Sequence, residues 1–484
     1  MPKVLVLLAT ERGQCMTLLI NPVHLNRTQD FQSTALLSQE QKSESQPNGF
    51  TRKCTKSVVI AERLLEQSLK KQANIFQLFI KGNYKASTVS HLRDIVSYAD
   101  YNADRLSAKD AKLLTKQLQK SLKGLTNDEK KDLFQGRCAL ACLLSPELSI
   151  LLTQQKEEPS LRDDDAHQLQ IAEAKAKLSM EVIGYEPKPA GGKNGAVFVL
   201  DVFADKNNEK IAVFKPVDTS FSFIKKIKEF FGQARLLNRK KKRYEQLAET
   251  VANKMAKTLG FKVTPESKMS KIQGKEGAFI LYLGNNYKVA ETILPKIRPP
   301  EDLEESEVIA LQKAFIFDFL VKDKDGHAEN WMLDTEPLPD GHVKINNVRF
   351  VDFGNSFSVQ YPGILGHGNE FAWGKLPVSE RPFHPEVISF IKDMKKENLR
   401  SFFASVNQEF LYEAAQEQIL IAFDVLKENV AGQVPEGVAI ERISSPAQLS
   451  SLHKREDYEA LRKNRSVIIR ETEVEDGFYM VDFS

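Results

Sequence analysis

The stretch that most constrains this chain runs from Phe315 to Asn355. It opens on an apolar run, Phe315-Ile316-Phe317-Asp318-Phe319-Leu320, which reads as buried helix. A charged loop follows, from Lys322 to Glu329, and then two short apolar runs, Trp331-Met332-Leu333 and Val348-Arg349-Phe350-Val351. Between these runs lies the turn signal Pro339-Asp340-Gly341, so they read as paired strands. Asp325 precedes the first strand, Asn330 stands at its entrance and Asp352 closes the second. Three oxygen-bearing side chains are thus expected at one end of a hairpin. That arrangement suits a divalent cation on a polyphosphate, with one further carboxylate facing an acceptor hydroxyl.

The rest of the chain must supply an opposing surface. At 484 residues it is too long for one core, and two or three domains are expected. The net charge is only +3, so an anionic partner has to be met by a local patch. The four cysteines are Cys15, Cys54, Cys138 and Cys142. Cys138 and Cys142 lie four apart in the apolar stretch CALACLL, with no nearby His or Cys to complete a metal site, so they read as buried core thiols in a reducing compartment. No apolar run approaches the roughly 20 residues a membrane span needs. Val4 to Ala9 is short for a signal segment, and a β-hairpin with the turn Glu11-Arg12-Gly13-Gln14 is the preferred reading of the amino terminus.

Polar residues without period fill the next segment, which reads as a linker over 26–56. From 57 to 180 the spacing is helical. Ser107 to Asp110 and Thr126 to Glu129 resemble capping boxes, Pro146 marks a break, and Arg162 to Leu178 reads as an amphipathic helix. Nothing there is placed for chemistry, so a helical accessory domain is expected. At Glu181 the pattern turns to strands. A glycine turn with Gly191, Gly192 and Gly195 joins two of them and offers backbone N–H groups to phosphate oxygens, although an ordinary hairpin turn has the same composition. The strand Ile211-Ala212-Val213-Phe214-Lys215-Pro216 carries a lysine that is costly to bury without a phosphate or carboxylate partner. The helix Tyr244 to Leu259, ended by Gly260, offers Glu249 as that carboxylate, with Glu245 one turn earlier as the alternative. The strand Gly277 to Leu283 then reaches a hinge whose backbone at Leu281, Tyr282 and Leu283 is placed to meet an adenine edge.

Taken in order, IAVFKP, LGFKVTPES, GAFILYL, KDGHAENWML, VDFGNSF and FAWGKLPVSERPFHPEVISFI resemble the phosphatidylinositol 3/4-kinase superfamily, most closely its type II phosphatidylinositol 4-kinase-like branch. The likeness covers about Glu181 to Ile391, under half of the chain. It implies an α+β fold: a two-lobed, protein-kinase-like catalytic core with a helical N-terminal domain and a helical C-terminal extension. The implied division is a hairpin at 1–25, linker at 26–56, helical domain at 57–180, first lobe at 181–285, second lobe at 286–432 and tail at 433–484. It implies ATP with Mg²⁺ or Mn²⁺ as cofactors. Lys215 would hold the α/β phosphates, Glu249 would orient Lys215, Asp325 would be the catalytic-loop aspartate, and Asn330 and Asp352 would bind the metal. The spacing of Asp325 to Asn330 matches the protein-kinase loop, and Asp352-Phe353-Gly354 repeats its D-F-G triplet. His327 matches the histidine of the lipid-kinase loop, where it can assist the acceptor; a purely loop-structuring role is equally open. Gly326 departs from the family's arginine beside the catalytic aspartate.

Between Lys215 and the Glu249 helix lies a basic insertion over 221–243. It holds nine basic residues, Lys225, Lys226, Lys228, Arg235, Arg239, Lys240, Lys241, Lys242 and Arg243, against one acid, Glu229. A solvated helix face is the bland reading; a site for an inositol polyphosphate or an anionic membrane is favoured, and no nucleic-acid motif accompanies it. The acceptor is less defined. Residues 355–382 carry only His367, Lys375 and Arg381 as basic groups, few for a lipid headgroup, which favours a protein hydroxyl over a phosphoinositide. A non-catalytic nucleotide-binding scaffold is the rival from another class. A cytosolic location, peripheral at anionic membranes, is expected. The acidic end RETEVEDGFYMVDFS is similar to the tails of bacterial effectors secreted into host cytosol.

Overall fold

The structure is a computed structural model that describes residues 4–9, 15–20, 49–190, 195–204, 210–217, 232–321, 326–357, 372–406, 411, 413–433 and 442–451. It mixes helix and antiparallel sheet, an α+β chain. It divides into two compact units: Met1–Ile150 with Leu178–Glu186 and Val202–Glu209, and Leu151–Lys177 with Pro187–Asp201 and Lys210–Ser484.

In the first unit β1 (Val4–Ala9) and β2 (Cys15–Ile20) pair antiparallel, with Val4 opposite Ile20. Helix α1 (Gly49–Ile80) begins inside the segment whose composition reads as linker. Four shorter helices follow: α2 (Val89–Tyr101), α3 (Ala108–Ser121), α4 (Asn127–Phe134) and α5 (Cys138–Leu144). Both capping boxes form, Ser107 with Asp110 and Thr126 with Glu129, so α3 and α4 start where their sequence says they should. Phe76, Phe79, Val96, Leu114, Leu118 and Phe134 close the core between them. The cysteines are a correction. Cys138 is exposed and Cys142 half-buried, because α5 turns Leu140, Ala141 and Leu144 inward and the four-residue spacing leaves both thiols off that side. The chain leaves this unit within α6 (Pro146–Glu157), which begins at the expected proline break.

The second unit starts with α7 (Asp165–Lys177). It is not the amphipathic helix its spacing suggests: His167, Leu169, Ile171, Ala172, Glu173, Ala174 and Ala176 are all buried, so more than one face is covered. The small alanines allow close approach to the sheet that α7 packs on. That sheet has five strands in the order β3-β4-β5-β7-β6: β3 (Lys188–Pro189), β4 (Val197–Leu200), β5 (Lys210–Pro216), β6 (Ser267–Ile272) and β7 (Lys275–Leu281). Register assigns its faces. Phe214, Phe279 and Lys268 lie on one face, and the Lys268 ammonium pairs with Glu173 of α7 while Ser270 Oγ donates to the same carboxylate at 2.6 Å. The alternate residues Val213, Lys215, Ala278 and Ser267 therefore take the opposite face.

That opposite face meets α8 (Gly232–Leu259), one continuous helix that begins well inside the basic insertion. It ends at Gly260, whose φ of +81° closes the C-terminus in a region open to glycine. Beyond β7, β8 (Tyr287–Val289), α9 (Ala290–Ile293), α10 (Glu305–Val321), β9 (Trp331–Pro337) and β10 (Val343–Phe350) build a second sheet in the order β10-β9-β8. Helix α10 packs along β10. Its Glu307, fully buried, accepts the Ile345 N–H at 2.7 Å and pairs with Arg298, pinning the hairpin beside its bulge. Three helices, α11 (Pro385–Asp393), α12 (Lys396–Ser405) and α13 (Glu413–Val425), complete the core with Val387, Ile391, Leu399, Phe402 and Phe423. A short α14 (Pro446–Ser451), within the stretch read as tail, buries Leu449 in the same core.

Candidate functional site

Lys215 stands near the end of β5 on the face turned to α8, and there its ammonium meets two carboxylates. It donates to Glu249 Oε1 and, at 3.1 Å, to Asp352 Oδ1. Glu249 lies in the middle of α8 among Ala248, Val251 and Ala252, and its side chain is 3% exposed, against 10% for Lys215 and 35% for Asp352. Burial works against the Lys215 charge, but the two carboxylates outweigh it and hold its pKa above the ordinary lysine value. Burial pushes Glu249 upward, and the Asp352 charge adds to that push. Among the described residues, one cation between two anions leaves a formal charge of minus one in a largely desolvated place. The exposed side of that excess is Asp352.

The backbone at Asp352 explains why its carboxylate points back to Lys215. Asp352 takes φ 67° and ψ 57°, the left-handed region that a non-glycine residue enters at a cost of about 1–2 kcal/mol. The turn is held from both sides. Phe353 packs edge-on against Phe317 of α10 at 6.0 Å, and the Phe357 N–H donates to Val321 O at 3.0 Å. Gly354 leaves room for α8 to come close: a Cβ there would lie 3.3 Å from that of Glu245, the alternative partner, which packs here rather than on Lys215.

Asn330 is brought beside Asp352 by the hairpin register. Trp331 opposes Phe350, and the Val351 N–H donates to Asn330 O at 2.9 Å, so Asn330 and Asp352 close the same end of β9 and β10. Asn330 is 7% exposed. His327 caps the short turn before it, half-buried, with Nδ1 3.9 Å from Glu329 Oε2. Among the described residues no group of three or more His, Cys, Asp or Glu is assembled for a metal ion. The Asp352 carboxylate and an amide oxygen of Asn330, two residues at the same end of the hairpin, are hard donors of the type that suits Mg²⁺ when phosphate oxygens and water fill the remaining positions. The excess negative charge at Asp352 fits the same ion.

From Lys215 an apolar shelf runs along the sheet. Val213, Ile211 and Phe198 are half-buried on the same face, and Phe198 meets Tyr282 edge-on at 6.0 Å. The Lys210 ammonium lies 4.2 Å above the Phe198 ring. At the hinge the Leu281 N–H is taken by Glu266 O at 2.8 Å and the Tyr282 N–H by Ile211 O at 3.1 Å, so neither is open to a base edge. The Leu283 N–H meets no backbone acceptor among the described residues. Gly195, with φ +68°, closes the hairpin between β3 and β4.

Other expected residues fall elsewhere. Asp325, Gly191, Gly192, Lys225, Lys226 and Lys228 lie outside the described residues. Arg235, Arg239, Lys240, Lys241 and Lys242 lie in the first turns of α8, the helix that carries Glu249 further on. Arg243 is exposed and pairs with Glu276 of β7 at 3.4 Å. Two polar-bearing residues that the sequence reading passed over lie in the core of the second unit. Asp318 and Trp373 are fully buried and joined by a 2.7 Å hydrogen bond, and an aspartate inside FIFDFLV was itself the signal for one of them. No protein-family model matches the chain, and no curated protein matches its sequence.

Proposed function

We propose that the second unit is a kinase-like, two-lobed catalytic core and that the chain transfers the γ-phosphate of ATP to a hydroxyl. The observation that carries this reading is the Lys215 ammonium, buried between Glu249 and Asp352 at the end of an apolar shelf. A purine fits the shelf formed by Phe198, Ile211 and Val213, and its phosphates would then reach the ammonium. Asp352 and Asn330 would hold Mg²⁺ or Mn²⁺, which when bound neutralises the phosphate oxygens and polarises them for transfer. Lys215 binds the phosphates, and Glu249 keeps it extended along the shelf. Asp325 orients or deprotonates the acceptor hydroxyl, with His327 beside it. Catalysis of this kind is positioning and electrostatics.

A protein hydroxyl is the favoured acceptor. The segment after Asp352 is poor in cations, and one of its few, Arg381, already donates to Pro300 O at 2.8 Å. An inositol polyphosphate at the basic turns of α8 would act on the helix that holds Glu249, which makes it a candidate activator. The site of action would be the cytosol, at or near anionic membranes. Incubating the full chain with γ-labelled ATP and Mg²⁺, and separating label in protein, in phosphoinositide and in free phosphate, tests the reading. Label in protein supports it as stated; label confined to lipid moves the acceptor. No transferred label in either, with or without inositol polyphosphate, refutes catalysis and leaves a binding scaffold.

A further inference from the structure

Helix α3 takes no part in the site described above, yet its solvent face carries charge of a single sign. From Arg105 to Lys123 the basic residues are Arg105, Lys109, Lys112, Lys116, Lys120 and Lys123, and the only acid is Asp110. At 3.6 residues per turn Lys109, Lys112, Lys116 and Lys120 fall within about 80° of arc, in a row about 17 Å long. Leu114 and Leu118, fully buried, hold the opposite side of the helix in the core. Lys123 extends the row past the end of the helix. All of these lysines are exposed, and among the described residues none of them meets a carboxylate or any other partner.

The surroundings continue the pattern. The turn that follows α1 sits beside α3, so close that a Cβ on Gly82 would lie 3.1 Å from Gln117 Nε2. That turn brings two more exposed lysines, Lys81 and Lys85, and the exposed Leu78, whose carbonyl accepts the Asn83 N–H at 2.8 Å. Two acidic residues flank the row. Asp110 is engaged by Ser107 in the capping box, and Glu181 accepts the Gln119 amide on its backbone carbonyl at 3.4 Å. A solvated helix face ordinarily mixes signs and gains ion pairs at three- and four-residue spacing. This face repeats one sign at that spacing, which destabilises the helix, and no described residue offsets it.

We infer that the lysine row of α3 is a membrane-docking surface that seats the first unit on anionic phospholipid headgroups. The form of the row selects that partner. A site for one compact phosphate gathers arginine forks or converging backbone N–H groups, and a single-stranded nucleic acid asks for stacking aromatics. No arginine lies between Arg105 and Arg137, and no aromatic residue between Tyr101 and Phe134. A straight row of lysines on the outside of a helix, with a leucine in the adjoining turn, instead meets many headgroups of a flat layer at once. Selectivity then follows surface charge rather than headgroup identity. The inference concerns the first unit, whereas the basic turns of α8 belong to the second, and it holds whether or not the chain transfers phosphate.

The test is sedimentation of the full chain with phosphatidylcholine vesicles that carry about 30% phosphatidylserine, and with vesicles of phosphatidylcholine alone. The row predicts binding to the charged vesicles only, weakening steeply as salt rises from about 50 to about 500 mM. Each lysine near such a surface strengthens binding roughly fivefold, so Lys109→Gln, Lys112→Gln, Lys116→Gln and Lys120→Gln together should weaken it by at least about 100-fold. Glutamine keeps the helix propensity and these lysines have no partner to lose, so the variant should melt as wild type does. Glutamine at Lys240, Lys241, Lys242 and Arg243 of α8 should cost far less. Vesicles of equal charge that carry a phosphoinositide in place of phosphatidylserine should bind within about threefold. The inference is overturned if the wild type ignores the charged vesicles, if the α3 variant binds them as wild type does, or if the α8 variant loses more than the α3 variant. A headgroup preference beyond about tenfold at equal charge, or a polyuridylate probe taken up in preference to vesicles and lost in the α3 variant, overturns it as well.

Discussion

Replacing Lys215 by Met probes the charge arrangement most sharply. The substitution keeps the length and apolar stem of the side chain but removes the cation that Glu249 and Asp352 share. Glu249, 3% exposed, is then left without its ion-pair partner, with a second carboxylate at the same place. Breaking a buried pair from one side costs about 3–5 kcal/mol. Two features moderate that figure: Asp352 is partly solvated, and Glu249 can take up a proton because its pKa is already raised. A loss of about 3 kcal/mol at neutral pH is the expected value, or roughly 4–5 °C in melting temperature for a unit of this size. Adding Glu249→Gln removes the stranded charge and should recover at least about 1 kcal/mol relative to additivity. Urea titrations at constant slope measure all three variants. A Lys215→Met variant within about 0.5 kcal/mol of wild type, or a double variant that is merely additive, would refute the buried triad.

Asp318 gives a pH dependence with a definite sign. Burial lifts its carboxyl from the ordinary 3.8 to about 7, against the pull of the Trp373 hydrogen bond. The folded state therefore holds a proton that the unfolded chain releases, and the associated stability is whole below pH 3.8 and lost as pH rises toward 7. Wild type should lose up to about 4 kcal/mol across that window, and Asp318→Asn should lack that part of the slope in melts from pH 4 to 8. Gly277→Ala places a Cβ 2.8 Å from Pro216 Cα and nearer still to the Lys215 carbonyl, so it should push β5 and β7 apart. It should lower stability by about 1–3 kcal/mol and weaken nucleotide binding with it, read by urea titration and calorimetry. Substituting Lys240, Lys241, Lys242 and Arg243 together should abolish inositol polyphosphate binding and its dependence on salt; binding that persists unchanged would remove the basic turns of α8 from the account.

The parts of this site legible in the sequence were those written in local pattern. The lysine in an apolar strand, the glutamate on the following helix and the asparagine and aspartate flanking a hairpin are all short-range signals, and the structure brings Lys215, Glu249 and Asp352 into contact. Period and capping likewise gave α3 and α4 their starts. What stayed hidden depends on long-range packing. Nothing in CALACLL says which side of so short a helix faces inward, so the cysteines came out on the wrong side. Helix α7 reads as amphipathic because Glu173 and Lys175 are charged, whereas both are ion-paired, to Lys268 and Asp201. The hinge carbonyls that occupy the Leu281 and Tyr282 N–H groups belong to residues 15 and 71 positions away, beyond any local pattern. Trp373 finds Asp318 across 55 positions of chain.

The central claim is that Asp352, beside the Lys215–Glu249 pair, completes a metal-dependent nucleotide site. Calorimetric titration of ATP into the full chain, with and without Mg²⁺, in wild type and in Asp352→Asn, tests it most directly. The account predicts binding that tightens at least about tenfold with Mg²⁺ in wild type, and a variant that folds normally but has lost that dependence. ATP binding indifferent to Mg²⁺, or a Mg²⁺ dependence that survives in Asp352→Asn, would contradict it.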